Sequence, residues 1–110
     1  MNLLATRRHS LLRMSEQAAP PTIVTHPQSV TVALNEYATF SVAANGPSLS
    51  YQWYYLKPTS SSWVKWTGKT EASLSFKGLS TNNGNQYRCV VSNEHGSVTS
   101  DAATLTVEGV

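Results

Sequence analysis

Three histidines, one cysteine and six carboxylates are the side chains in this sequence whose types could support acid–base, nucleophilic or metal chemistry. Their spacing does not assemble any of these. His9 stands in an N-terminal leader, His26 at a break before a proline, and His95 in the turn Asn93-Glu94-His95-Gly96. Cys89 shares the phase of Tyr87 and Val91 in an alternating run, which points it inward, whereas a nucleophilic thiol must be exposed beside a base. The acids are scattered, without the close spacing that a hard-cation loop requires. One cysteine also excludes an internal disulfide and any zinc site built from cysteine pairs. The expectation is a protein with no catalytic residues, no cofactor and no metal.

Aromatic side chains are the better candidates for contact with a partner. In the run Ser50 to Leu56, Tyr51, Trp53 and Tyr55 point one way and Gln52 and Tyr54 the other. Trp63 and Lys65 alternate with Val64 and Trp66, so one of the two tryptophans is left for the surface. Tyr54 and Trp63 form a candidate platform for a sugar ring or a protein. The competing arrangement has Trp66 closing the core beside Trp53 while Trp63 covers an edge.

Charge narrows the partner classes. After residue 20, five cations (Lys57, Lys65, Lys69, Lys77, Arg88) meet five acids (Glu36, Glu71, Glu94, Asp101, Glu108), so this body is neutral. A neutral body lacks the positive field that drives non-specific nucleic-acid binding, and no nucleic-acid partner is expected. No run approaches the roughly 18 to 20 apolar residues of a membrane span, and no insertion is expected. The first 20 residues read differently. Leu3 and Leu4 precede Arg7 and Arg8, and Leu11 and Leu12 precede Arg13. These interruptions break the apolar core of a secretory signal, and the segment reads as a basic, apolar arm and linker that ends at Ala18-Ala19-Pro20-Pro21.

The 110 residues, 40% hydrophobic and 13% charged, suit one domain with a real core. From residue 21 to 110 no helical period persists. Short alternating runs recur between Gly, Pro, Asn and Ser clusters: Thr22 to Thr25, Ser29 to Leu34, Ala38 to Ala44, Ser50 to Leu56, Trp63 to Thr67, Ala72 to Phe76, Gln86 to Ser92 and Ser100 to Val107. This pattern predicts an all-β, two-sheet antiparallel sandwich behind a short arm, without an internal disulfide.

Trp53, 11 residues after Val42, together with Tyr87 two residues before Cys89, makes residues 21–107 resemble an immunoglobulin-like domain. Val42 and Cys89 match the two positions that the family bridges with a disulfide, and Tyr87 matches its tyrosine corner, which implies a phenol bonded to nearby backbone. The run Asn83-Gly84-Asn85-Gln86-Tyr87-Arg88-Cys89 is similar to the family's D-x-G-x-Y-x-C, with Asn in the Asp place and in the Gly place. With Val42 opposite Cys89, packing must replace the disulfide, and Val42, Trp53, Tyr87 and Cys89 are the expected core.

The sequence is similar to I-set and bacterial immunoglobulin-like modules of tailed-phage virion proteins and of bacterial surface proteins. The first resemblance implies a virion decoration or minor structural protein, at the virion surface. Leu3, Leu4, Arg7, Arg8, Leu11, Leu12 and Arg13 would dock on a capsid or other virion protein, and the sandwich would be displayed for adhesion to a cell-surface glycan or protein. The second implies a module of a longer bacterial surface or adhesion protein.

Overall fold

The computed structural model describes residues 19–110. The arm positions Leu3, Leu4, Arg7, Arg8, Leu11, Leu12 and Arg13 lie outside the described residues. Ten short strands follow one another: β1 (Thr22–Thr25), β2 (Val30–Ala33), β3 (Tyr37–Ser41), β4 (Ala43–Asn45), β5 (Ser50–Leu56), β6 (Val64–Lys65), β7 (Ser73–Lys77), β8 (Gln86–Asn93), β9 (Gly96–Thr99) and β10 (Ala103–Glu108).

The larger sheet runs in the order β2, β10, β8, β5, β6, with β9 also paired to β8. Facing it are β3 with β7 and β1 with β4, all antiparallel. β3 and β4 follow one another in the chain with only Val42 between them, and the Val42 N–H still donates to Ala72 O at 3.0 Å. The expected antiparallel order has one departure: β10 pairs β2 in parallel, Leu105 to Val30 through Glu108 to Ala33. β2 arrives from the opposite sheet's side of the chain path after the His26-Pro27 break, so its direction is not set by a hairpin.

Alternation does the packing. β3 contributes Ala38 and Phe40, β7 Leu74, β5 Trp53, β8 Tyr87, Cys89 and Val91, and β10 Ala103, Leu105 and Val107, all buried together with Val42. These are one face of each strand, as two sheets stacked face to face require. Trp53 lies directly opposite Cys89 on the neighbouring strand, and its indole Nε1 donates to Glu71 O at 2.7 Å, so the buried ring leaves no unpaired donor. An aromatic cluster extends the core toward one end. Phe40, Phe76 and Tyr87 have centroids 5.0 to 6.1 Å apart.

The predicted strand Ser100 to Val107 begins later, at Ala103 in β10, and an unexpected strand, β9, precedes it. β9 continues the β8 hairpin, and one extra residue is accommodated before β10: Val90 opposes Thr99, whereas Tyr87 opposes Ala103. The buried Ser100 fills the gap by taking over ladder bonds. Its N–H donates to Cys89 O at 2.8 Å, and its Oγ accepts from Cys89 N at 2.9 Å. A bulge of this kind reverses which parity faces inward. Val98 packs on the core before it, and Ala103, Leu105 and Val107 do so after it. Leu34, expected to continue the face of Val30 and Val32, lies beyond the end of β2 and is exposed, because the chain turns there through Asn35 at φ 73°.

Candidate functional site

The outer face of the larger sheet carries the side chains opposite in phase to the core. Tyr54 on β5 sits across from Arg88 on β8 and from Lys65 on β6. Arg88 is flanked in sequence by inward Tyr87 and Cys89, so it faces out, and its guanidinium carbon lies 4.2 Å above the centroid of the Trp63 ring. Its Nε is fully buried and has no hydrogen-bond partner. Arg88 makes no ion pair among the described residues; the pairs found there involve His26 with Asp101 and His95 with Glu94. Among the described side chains the charge is therefore met by a ring quadrupole, an interaction of about 0.5–2 kcal/mol that does not compete with a carboxylate.

The same economy recurs at other places on the molecule. Lys57 lies over Tyr55, Lys69 over Trp66 and Lys77 over Tyr37, with the nitrogen 5.3 to 5.9 Å from the ring centroid. None of these lysines is in an ion pair among the described residues.

A second concave feature opens at the end of the sandwich beneath β5 and β6. Its volume is about 300 Å³, and its walls include Tyr55, Lys57, Lys65, Trp66, Asn85 and Tyr87. Trp66 does close the sandwich, but beside Tyr55, Phe76 and Tyr87 (centroids 5.2 to 6.0 Å) rather than beside the Trp53 ring. The phenol of Tyr87 is bonded by the Asn85 side chain, Nδ2 to Oη at 3.3 Å, where the resemblance implied backbone. The backbone of this turn is engaged elsewhere: Gly84 N donates to Leu105 O and Leu105 N to Asn85 O, while the Asn83 side chain accepts from Val107 N at its Oδ1. Burial pushes the Tyr87 phenol above its ordinary range, against a smaller lowering by Asn85.

The family is decided over most of the chain. Residues 20–93 match the immunoglobulin domain family. The chain belongs to that family. The immunoglobulin-like domain is 34% identical over 89 residues to part of Endoglucanase C of Cellulomonas fimi; the match covers 80% of this chain and 8% of that protein's length. Among solved structures, an I-band fragment of titin is 28% identical, with a TM-score of 0.60 over 81% of this chain and 32% of that one. The tandem Ig repeats of Dlar share the fold at 20% identity, with a TM-score of 0.62 over 80% of this chain and 48% of that one.

The immunoglobulin-like domain keeps its core residues where the sequence placed them: Val42, Trp53, Tyr87 and Cys89 are all buried. Cys89 is free, and desolvation pushes its thiol up to about 11, with a smaller opposing bond from Gln52 backbone. Tyr54 and Trp63 share the outer face, and both are half-buried, so neither is a bare platform. Arg88 completes that cluster and was missed, because its contact with Trp63 depends on the register of β5, β6 and β8. Asn85 was missed as well, although its replacement of the family's small residue was visible in the sequence.

His26 and His95 sit apart. His26 Nδ1 accepts from Asp101 N at 2.9 Å, and in that state it cannot also donate to the Asp101 carboxylate 3.8 Å away.

Proposed function

We propose that this immunoglobulin-like domain is a non-enzymatic recognition module whose Tyr54, Trp63 and Arg88 face docks on a protein surface presenting a carboxylate beside apolar side chains. The observation that carries the reading is Arg88 stacked on Trp63 without an acidic partner among the described residues. Trp, Tyr and Arg dominate the energetics of protein interfaces, and a guanidinium fork pairs with a carboxylate in two parallel hydrogen bonds. A buried thiol that ionises only near 11 is a poor nucleophile at neutral pH, which supports a non-catalytic role.

Of the two carriers expected from the sequence, a multidomain bacterial surface protein has the support of the Cellulomonas relative, in which the similar stretch occupies 8% of the length. Virion decoration depends on the arm, and deletion of residues 1–17 tests it. Loss of incorporation into particles, with an unchanged melting transition, would favour it.

The docking reading is tested by binding of the labelled full chain to intact bacterial cells. Trp63→Ala and Arg88→Ala should each weaken it about tenfold or more while Tm moves little, since truncating an interface anchor removes about 1–3 kcal/mol. Variants that bind as the wild type does would refute the docking face, and turnover of a cello-oligosaccharide would refute the non-enzymatic reading.

A further inference from the structure

Strand β7 has a neighbour on one side only. It pairs with β3, and among the described residues no strand pairs with its other edge. The hydrogen bonds at the two ends of the pairing fix which groups that edge carries. Ala72 O accepts from Val42 N at 3.0 Å, and Gly78 N donates to Glu36 O at 2.8 Å. Residues of even number therefore bond toward β3, and by alternation the N–H and C=O of Ser73, Ser75 and Lys77 point the other way. Lys77 O accepts from Asn82 Nδ2 at 3.0 Å, in keeping with that direction. The backbone groups of Ser73 and Ser75 and the N–H of Lys77 have no partner among the described residues, and all three residues are exposed. Exposed edges are commonly blunted by a proline, a bulge or a charge. Here the register with β3 is unbroken, and the one charge on β7 is at its end, on Lys77.

The larger sheet extends further on this side. Beyond β6 the chain stays bonded to β5, with Trp66 N donating to Trp53 O and Trp53 N to Lys69 O, both at 3.0 Å. The centroid of the Trp66 ring lies 5.2 Å from that of Phe76 on β7, and the chain crosses toward β7 through Glu71, whose O accepts from the Trp53 indole. The space left beside β7 is thus one strand wide, over a floor made by residues 66–69. A groove of about 420 Å³ lies there, walled by residues 68–71, Ser73, Leu74 and Ser75. Phe76 marks the same gap. It shares the inward phase of Leu74, yet it stays half-buried where Leu74 is 1% exposed.

We propose that this edge takes up one extended segment of a partner protein, antiparallel to β7, as an added strand. Only a polypeptide backbone presents donors and acceptors at the spacing of Ser73, Ser75 and Lys77. A segment paired there sends alternate side chains inward over Leu74 and Phe76, where apolar groups belong. The others lie outward, and the position opposite Lys77 suits a carboxylate, because Lys77 is in no ion pair among the described residues. A second copy of this chain fits less well than a single segment, since joining two β7 edges would bring two overhanging 66–69 segments into one space. The inference goes beyond the Tyr54, Trp63 and Arg88 face and uses none of its residues.

The test is an NMR titration of the isotope-labelled full chain with the peptide acetyl-Glu-Val-Thr-Val-Thr-amide, whose glutamate falls opposite Lys77 and whose valines fall opposite Phe76 and Leu74. The amide signals of Ser73, Ser75 and Lys77 should shift, and their hydrogen exchange should slow. Methylating the backbone nitrogen of the peptide's third residue, which faces Ser75, should weaken binding about tenfold or more, whereas methylating that of its fourth residue, which faces away, should change it little. Ser75→Pro removes an N–H on the open edge alone, a place where strands tolerate proline, so its Tm should stay close to that of the wild type while the peptide no longer binds. Should that variant fail to fold, the pair of methylated peptides still decides. The proposal is overturned by unmoved Ser73, Ser75 and Lys77 amides, by equal binding of the two methylated peptides, or by a folded Ser75→Pro that binds normally. It is also overturned if these amides are protected without peptide: protection that grows with protein concentration assigns the edge to a second copy, and protection lost on deleting residues 1–17 assigns it to the chain's own arm. Arg88→Ala should leave the titration unchanged, so failure of the docking face and failure of the β7 edge are read separately.

Discussion

Replacing Cys89 with Ala should destabilise the domain at neutral pH and stabilise it in strong alkali. The buried thiol is pushed from an ordinary value of 9.0 up to about 11, chiefly by desolvation. Its folded value is raised, so the associated stability is complete below about pH 9, where both states keep the proton, and is lost as pH rises through about 11. In that window the unfolded chain releases a proton that the folded chain retains. Each tenfold change in an ionisation constant is worth ~1.36 kcal/mol, so the wild type should lose about 1 kcal/mol by pH 10 and about 2 kcal/mol by pH 11 from this group. Removing Sγ from the site opposite Trp53 should cost about 1 kcal/mol in packing at every pH. The two stability curves should therefore cross near pH 10. Urea midpoints of both proteins, measured in reductant from about pH 7 to pH 10.5, give the difference directly. Tyrosine and lysine ionisations, that of Tyr87 included, are common to both and cancel. A difference that stays flat with pH, or one that grows in favour of the wild type, would refute the assignment of Cys89 as a desolvated core thiol.

Trp53→Ala removes the centre of the core and its bond to Glu71 O, and should cost about 3–5 kcal/mol in a denaturant titration; a cost below about 1 kcal/mol would show that the ring is not buried. Gly78→Ala should also destabilise, by about 1–3 kcal/mol. A Cβ there would stand 2.6 Å from Val32 Cγ2 and 3.0 Å from Val107 Cγ2, and these short branched side chains cannot swing away; a thermal melt that rises instead would show that β2 gives way at no cost.

Most of the sandwich was legible because strand alternation and burial follow the same period. Phe40, Trp53, Leu74, Tyr87, Cys89, Leu105 and Val107 each announce an inward position by their phase. Strand β9 was not legible. Gly96-Ser97-Val98-Thr99 offers one apolar residue, and the bulge at Ser100 reverses its parity against β10, so the two never form a single alternating run. The parallel pairing of β2 with β10 was hidden for a related reason. Parallel neighbours are remote in sequence, and nothing local encodes their register.

The candidate surfaces divide in the same way. That Tyr54 and Arg88 face outward follows from their neighbours in sequence, because inward residues on both sides of a strand position leave it no other face. That Arg88 lies on Trp63 depends on pairing β5 with both β6 and β8, which brings residues 25 positions apart into contact. The cavity is a tertiary product altogether: Lys57 follows β5, Lys65 ends β6, and Asn85 and Tyr87 lie at the start of β8, so the pairing of β5 with both β6 and β8 brings them around one space. Composition and phase determined that the chain folds as an all-β sandwich without a disulfide, because the hydrophobic effect reads only which side of a strand is apolar. Which cations lack carboxylate partners, and which strand edge lacks a neighbour, was decided by the tertiary structure, because hydrogen bonds and ion pairs depend on distance and direction between residues that the sequence keeps apart.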